Sequence, residues 1–298
     1  MLFLVAAPAQ ADPVFPLGSR IGLEPPPSMT LNKTSNLFED ADRNSSITVL
    51  DLPLQLYGDM ERMVFAQANQ PGVTVIKRES FPYASGIGYF IAAELTVDGV
   101  KYRKWLLLAS SASNPSPDLA ALVSIQVPAT AFDVYTDEVA RKALATVTFR
   151  PAPLQERLGL LPFVIGDTAG FEVVEVAPTG VVLSEKPERG GQPEVVVSIG
   201  KDAPAQVADR PNFARQIFER GPVRDMEITS AEPMRIGGMA GFEIKARAKT
   251  PAGAPILLVQ WMRFGGSGYL RVVAGANAEE WEQAYPRFRA VRDGVSSR

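Results

Sequence analysis

The chain has 298 residues, 46% hydrophobic and 21% charged, with a formal net charge of -3, which describes a globular protein able to bury a sizeable core. It contains neither cysteine nor histidine, so Ser-His-Asp and Cys-His nucleophile systems, histidine metal sites, thiolate zinc sites and disulfides are all excluded. The charge balance gives no polybasic footprint for nucleic acid or an anionic membrane, and no stretch approaches 18 consecutive apolar residues, so no membrane-spanning helix is expected.

In chain order, residues 1–11 read as the remnant of a signal peptide. An apolar run is followed by Ala9-Gln10-Ala11 before Asp12, so the mature protein is expected to begin near Asp12 and to be exported, periplasmic or secreted. A strand is expected over 46–52, a helix over 56–68 and a strand over 73–78. Then Gly86-Ile87-Gly88 leads into a strand, an Asp98-Gly99 turn and a second apolar strand. A strand over 120–127 and a helix over 136–146 complete this half, and the Pro-rich stretch over 151–159 reads as a linker. The second half repeats the order: strand 194–199, helix 211–220, strand 226–230, glycine cluster Gly237, Gly238 and Gly241, strand, Pro251-Ala252-Gly253 turn, strand. A strand over 269–276 and a helix over 278–291 follow, with Asn277 and Glu280 spaced as a capping box and Pro286 expected to bend or end the helix.

One unit written twice therefore emerges, over residues 12–150 and 151–298. Hairpins imply antiparallel pairing, so the fold class is α+β: two tandem copies of an antiparallel sheet flanked by helices. In the second copy Phe242, Ile244, Ala246 and Ala248 alternate with Glu243, Lys245, Arg247 and Lys249, which predicts one face on the core and one in water. The first copy, over 90–97, is apolar on both faces and is expected to be the more fully covered sheet. The glycine clusters precede strands instead of opening helices, so they read as turns and not as phosphate cradles.

The remaining chemistry reads as structural. Glu39, Asp40 and Asp42 lack the glycine and terminal glutamate of a calcium loop and are expected in a solvated turn. Ser198-Ile199-Gly200-Lys201 has the spacing of a Ser-Lys nucleophile but ends a β-rich run. Glu172 and Glu175 should point to opposite faces of a strand, and Glu279, Glu280 and Glu282 suit a helix start. Tyr83, Tyr89, Tyr102 and Trp105, like Trp261, Tyr269, Trp281 and Tyr285, are expected to fill sheet–helix cores, with a binding groove as the alternative. Lys101-Tyr102-Arg103-Lys104 reads as a solvated hairpin arm.

With Gly22-Leu23, Pro25 to Pro27, Met29 and Phe38-Glu39-Asp40 before the strand at Ile47, and with the later hairpins and terminal helices, the chain resembles the PsbP-like superfamily. That superfamily includes a photosystem II subunit, a Ran-binding import factor and secreted bacterial proteins. The resemblance implies a PsbP-like α/β/α sandwich in each half. It also implies a non-catalytic mode of action, by binding other proteins, with no cofactor, metal or catalytic residue to carry over. The expectation is an accessory module that docks another envelope protein. A small-molecule or lipid-binding periplasmic protein is the second reading, and a carboxylate hydrolase the third.

Overall fold

A computed structural model describes residues 12–33, 35, 37–67, 72–111, 119–185 and 193–298 of the chain. The expected signal-peptide residues 1–11 lie outside them. Two compact units divide the chain, Met1–Pro153 and Leu154–Arg298.

The first unit runs β1 (Ile21–Gly22), β2 (Thr30–Asn32), β3 (Leu37–Asp40), β4 (Ser45–Pro53), α1 (Tyr57–Gln67), β5 (Val73–Tyr83), β6 (Gly86–Val97), β7 (Val100–Ser110), β8 (Leu119–Pro128), α2 (Asp137–Ala145) and β9 (Thr148–Phe149). Seven of its strands form one antiparallel sheet in the order β2-β3-β4-β8-β7-β6-β5. The long hairpin β6–β7 turns on Asp98 and Gly99, whose φ values of 50° and 78° are the left-handed pair that suits the twist of a two-residue turn. One face of the sheet carries Phe90, Trp105, Leu107, Val123 and Ile125, packed with Ala140, Ala143 and Leu144 of α2. Thr136 caps α2, its hydroxyl accepting from the Val139 amide at 3.3 Å. The opposite face holds a smaller cluster, in which Val64 of α1 meets Ile91 and Ala93.

The second unit runs α3 (Leu154–Leu160), β10 (Phe163–Ile165), β11 (Glu172–Ala177), β12 (Gly180–Ser184), β13 (Glu194–Gly200), α4 (Arg210–Glu219), β14 (Arg224–Ile236), β15 (Met239–Lys249), β16 (Pro255–Gly265), β17 (Gly268–Asn277), α5 (Trp281–Gly294) and β18 (Val295–Ser297). Its sheet order, β11-β12-β13-β17-β16-β15-β14, reproduces that of the first unit strand for strand. Each unit is an antiparallel sheet with helices on both faces, the expected α+β sandwich, and the duplication extends to topology.

Several expectations need correction. Most of the expected linker, 154–159, lies in α3, and Leu154 and Leu158 pack on the second core, because this short segment carries the apolar residues that close that core's end. The Phe242, Ile244, Ala246 and Ala248 face is not the face on the main core: it packs against Ala214 and Phe218 of α4. Glu243 and Lys245 do not simply face water but lie on the α5 side, where Lys245 Nζ is 4.9 Å from the Tyr285 ring centroid. Among the described residues, the second face with the larger buried cluster is that of the second unit, to which α4 supplies Phe213 and Phe218. No capping box forms at Asn277: its side-chain amide donates to the Glu280 carboxylate at 2.9 Å, and α5 starts after Glu280. Pro286 does not end α5, which continues to Gly294.

The glycine clusters also differ in detail. Gly237 and Gly238, with φ values of 57° and 79°, form the β14–β15 turn. In the first unit the turn is Ala84-Ser85, and Gly86 to Gly88 already belong to β6. The matched pair is Gly88 and Gly241. A Cβ at Gly88 would lie 2.7 Å from the Leu108 carbonyl oxygen, and one at Gly241 2.8 Å from that of Met262. Both glycines let β6 or β15 cross closely over its neighbour.

Candidate functional site

The aromatic clusters are mostly core. Trp105 and Trp261 are buried on the faces covered by α2 and α5, and each indole N–H finds a carboxylate: Asp137 at 2.9 Å and Glu243 at 2.6 Å. Trp281 stacks on Tyr285 at 5.1 Å, and Tyr83 donates to the Ser110 carbonyl at 2.6 Å. Tyr269 packs edge-on to Phe213 and lies over Gly200, while Tyr89 and Tyr102 are half-buried on the first sheet.

The acidic candidates come apart. Asp40 is buried, not solvated, because Tyr135 comes from the α2 side to cover it. Tyr135 Oη donates to Asp40 Oδ2 at 2.6 Å, and the Ser28 hydroxyl, 2.8 Å away, donates to the tyrosine oxygen. Arg43 Nη1 donates to the same Asp40 Oδ2 at 2.9 Å. The tyrosine hydrogen bond, followed by Arg43, holds the Asp40 carboxyl below the ordinary carboxylate range. Glu172 and Glu175 do not point to opposite faces. A bulge between Val173 and Glu175 pairs Glu172 with Ser184 and Glu175 with Val182, so both carboxylates fall on one face of β11. Among the described residues no group of three or more acidic side chains is arranged to hold a metal ion. Ser198 to Gly200 close β13, as expected of a strand end. In the basic run, Arg103 pairs with Glu94 at 2.7 Å and lies 4.3 Å from the Phe132 ring centroid, so this arm is partly folded onto the sheet.

A groove on the second unit assembles what none of those candidates offers. A cavity of about 410 Å³ opens between the start of α4 and the β14–β15 hairpin. Val207, Pro211, Pro233, Met234, Ala240, Phe242 and Phe264 give it an apolar lining, and Arg210 and Arg235 bring charge. Arg210 lies 5.1 Å from the Phe264 ring centroid, and its Nε donates to the Pro204 carbonyl at 3.2 Å. Arg235 is held by the Gly238 carbonyl in the hairpin turn. Val207, 67% exposed, stands at the rim. Of this lining, sequence reasoning reached Pro211 as the start of a helix, Gly241 as a turn residue and Phe242 as a core-face strand residue. The isolated Pro233 inside an extended run was the available signal, since proline is confined to edge strands, and β14 is indeed at the sheet edge.

Among the described residues no helix is long and apolar enough to cross a membrane. No protein-family model matches the chain, and no curated protein matches it. Solved structures similar to it include cyanobacterial PsbP from Synechocystis sp. PCC 6803, 14% identical with a TM-score of 0.34 over 43% of this chain and 82% of that one. LpqN, involved in cell envelope biogenesis of Mycobacterium tuberculosis, is 12% identical with a TM-score of 0.37 over 45% and 82%. The T6SS immunity protein TplEi of Pseudomonas aeruginosa, complexed with "L" peptide, is 10% identical with a TM-score of 0.30 over 94% and 95%. No residue role passes from these structures to this chain.

Proposed function

We propose that the chain is a non-catalytic, exported binding module that docks another protein of the bacterial envelope through the groove of its second unit. The observation that carries this is an apolar cavity of about 410 Å³ with arginines beside it on a sheet edge. Such a surface suits a partner segment with one or two apolar side chains flanked by carboxylates. The absence of histidine and cysteine from the sequence removes the commonest catalytic groups. Placing Asp at both Val207 and Ala240, which are exposed, puts charge into the groove without disturbing the core. Capture of envelope proteins on the mature chain should then fall at least ~10-fold, equivalent to ~1.4 kcal/mol. Equal recovery of the same proteins by the variant would refute the groove as their docking surface.

A second reading has one observation in its favour, because a cavity of about 410 Å³ is also the size of a small-ligand site. An apolar acid would fit the lining and the two arginines. Mass spectrometry of solvent extracts from the purified chain decides between them: a stoichiometric apolar acid favours this reading over docking.

A further inference from the structure

The α4 face of the second sheet contains a polar pair in an otherwise apolar layer. Gln260 is fully buried, and its Nε2 donates to the Ala214 carbonyl on α4 at 2.9 Å. Its Oε1 accepts from Arg271 Nε at 2.6 Å. The helix thus fixes the glutamine, and the glutamine fixes the plane of the guanidinium. Among the described residues no carboxylate pairs with Arg271, and its terminal N–H groups have no acceptor. Those nitrogens are not sealed from water, since neither is among the buried unsatisfied side-chain atoms of the described residues. Burial drives the Arg271 pKa down from its ordinary value, as expected of a partly desolvated cation with no carboxylate beside it.

The first unit shows that the fold does not require this pair. Aligning Gly88 with Gly241 matches Leu108 to Met262, the residues whose carbonyls those glycines approach. Leu108 pairs with Leu122, and Met262 with Arg271, so Arg271 takes the place of Leu122. By the same register Gln260 takes the place of Leu106. Leu50 pairs with Leu122 and Ser198 with Arg271, so a serine stands where the first unit has a leucine. Leu106 and Leu122 pack as partly buried apolar residues around Val64, Ile91 and Ala93. Three apolar positions of one copy are polar in the other, clustered on adjacent strands.

We propose that Arg271 anchors a carboxylate-binding site on the α4 face of the second unit, engaging the anion through its guanidinium fork with the Ser198 hydroxyl beside it. A planar carboxylate matches two parallel N–H groups of a guanidinium whose plane is already fixed. The site is independent of the groove at the β14–β15 hairpin. The carboxylate belongs either to a free small acid or to an Asp or Glu side chain of a bound protein.

The test follows the Arg271 Nε–Hε resonance by NMR in the full chain. Sodium acetate is titrated against sodium chloride and sodium phosphate at matched ionic strength. A saturable shift with acetate is expected, with chloride at least ~10-fold weaker. The double variant Gln260→Leu with Arg271→Leu installs the residues of the first unit. It should keep the fold, with an unchanged or raised melting temperature, and surrender acetate protection against thermal unfolding. An acetate response no larger than that to chloride overturns the site, as does one to phosphate alone. A double variant that melts well below the wild type also overturns it, by making the pair a structural device. If acetate protects the wild type, free acid and protein side chain are separated by a peptide carrying one internal Glu: at least ~10-fold tighter binding than acetate assigns the carboxylate to a protein partner, and weaker binding assigns it to a small acid.

Discussion

Asp40 and Tyr135 illustrate how a single buried contact sets a measurable titration. Burial, and then donation to Asp40, push the Tyr135 hydroxyl up to about 12. The ordinary tyrosine value is about 10, so the folded chain holds this proton more tightly than the unfolded chain does. The stability it contributes is fully present below pH ~10 and is lost as pH rises towards ~12. Asp40 has the opposite sign: its depressed carboxyl contributes stability above the ordinary aspartate value, lost as pH falls through its lower folded value. Tyr135→Phe should cost ~1–3 kcal/mol at neutral pH in urea unfolding, because a buried carboxylate loses its first donor. The same substitution should remove the last-titrating component from the tyrosinate absorbance curve. An unchanged absorbance titration would contradict the assignment. None of this was legible in the sequence. Asp40 and Tyr135 are 95 positions apart, and the acidic run around Asp40 looks like any solvated turn. Arg271 was missed for a related reason: in Tyr269-Leu270-Arg271-Val272-Val273 alternation places the arginine on one face, and only the tertiary position of α4 shows that this face is covered.

At the level of elements, alternation and turn chemistry carried most of the information. Asp98-Gly99 and the loop through Gly253 marked the two central hairpins, since few residues other than glycine, asparagine and aspartate adopt the required positive φ. Period-2 patterning located β15, and apolar runs beside turns located β6, β7 and β16, but neither pattern says which of two covered faces is the larger core. That ambiguity misassigned the Phe242 face. The bulge in β11 was equally invisible, because one inserted residue reverses face parity without changing composition. Gly88 and Gly241 give the strongest element-level prediction. Alanine at either position places a Cβ within 2.7 or 2.8 Å of a backbone carbonyl on the neighbouring strand, where no flexible side chain can yield. Each substitution should destabilise by ~1–3 kcal/mol through forced separation of the strands. Denaturant unfolding of both variants checks this, and neutrality at both positions would remove the close-crossing account.

At the scale of the whole molecule, duplication was legible because both halves present the same order of strands, helix and hairpins, and sheet order repeats without exception. Polar differences between the copies were not legible, because they become meaningful only once register equates Leu122 with Arg271. The two copies also close in the same manner. In the first unit β1 near the start pairs with β9 at the end, Ile21 opposite Phe149. In the second, β10 pairs with β18, Phe163 opposite Ser297. Each unit therefore ties its own first strand to its own last. Each unit also has its own main core, around Trp105 in one and Trp261 in the other. At ~140 residues a single core of this kind suffices for independent stability. Residues 12–153 and 154–298 expressed separately should each show a cooperative urea transition with a slope of ~1–3 kcal/mol/M. Retained near-ultraviolet circular dichroism would accompany it, because Trp105 and Trp261 each remain buried within their own unit. A broad transition with strong binding of a hydrophobic dye by either fragment would mean that unit borrows stability from the rest of the chain. The two copies would then be halves of one folding unit despite their matching topology.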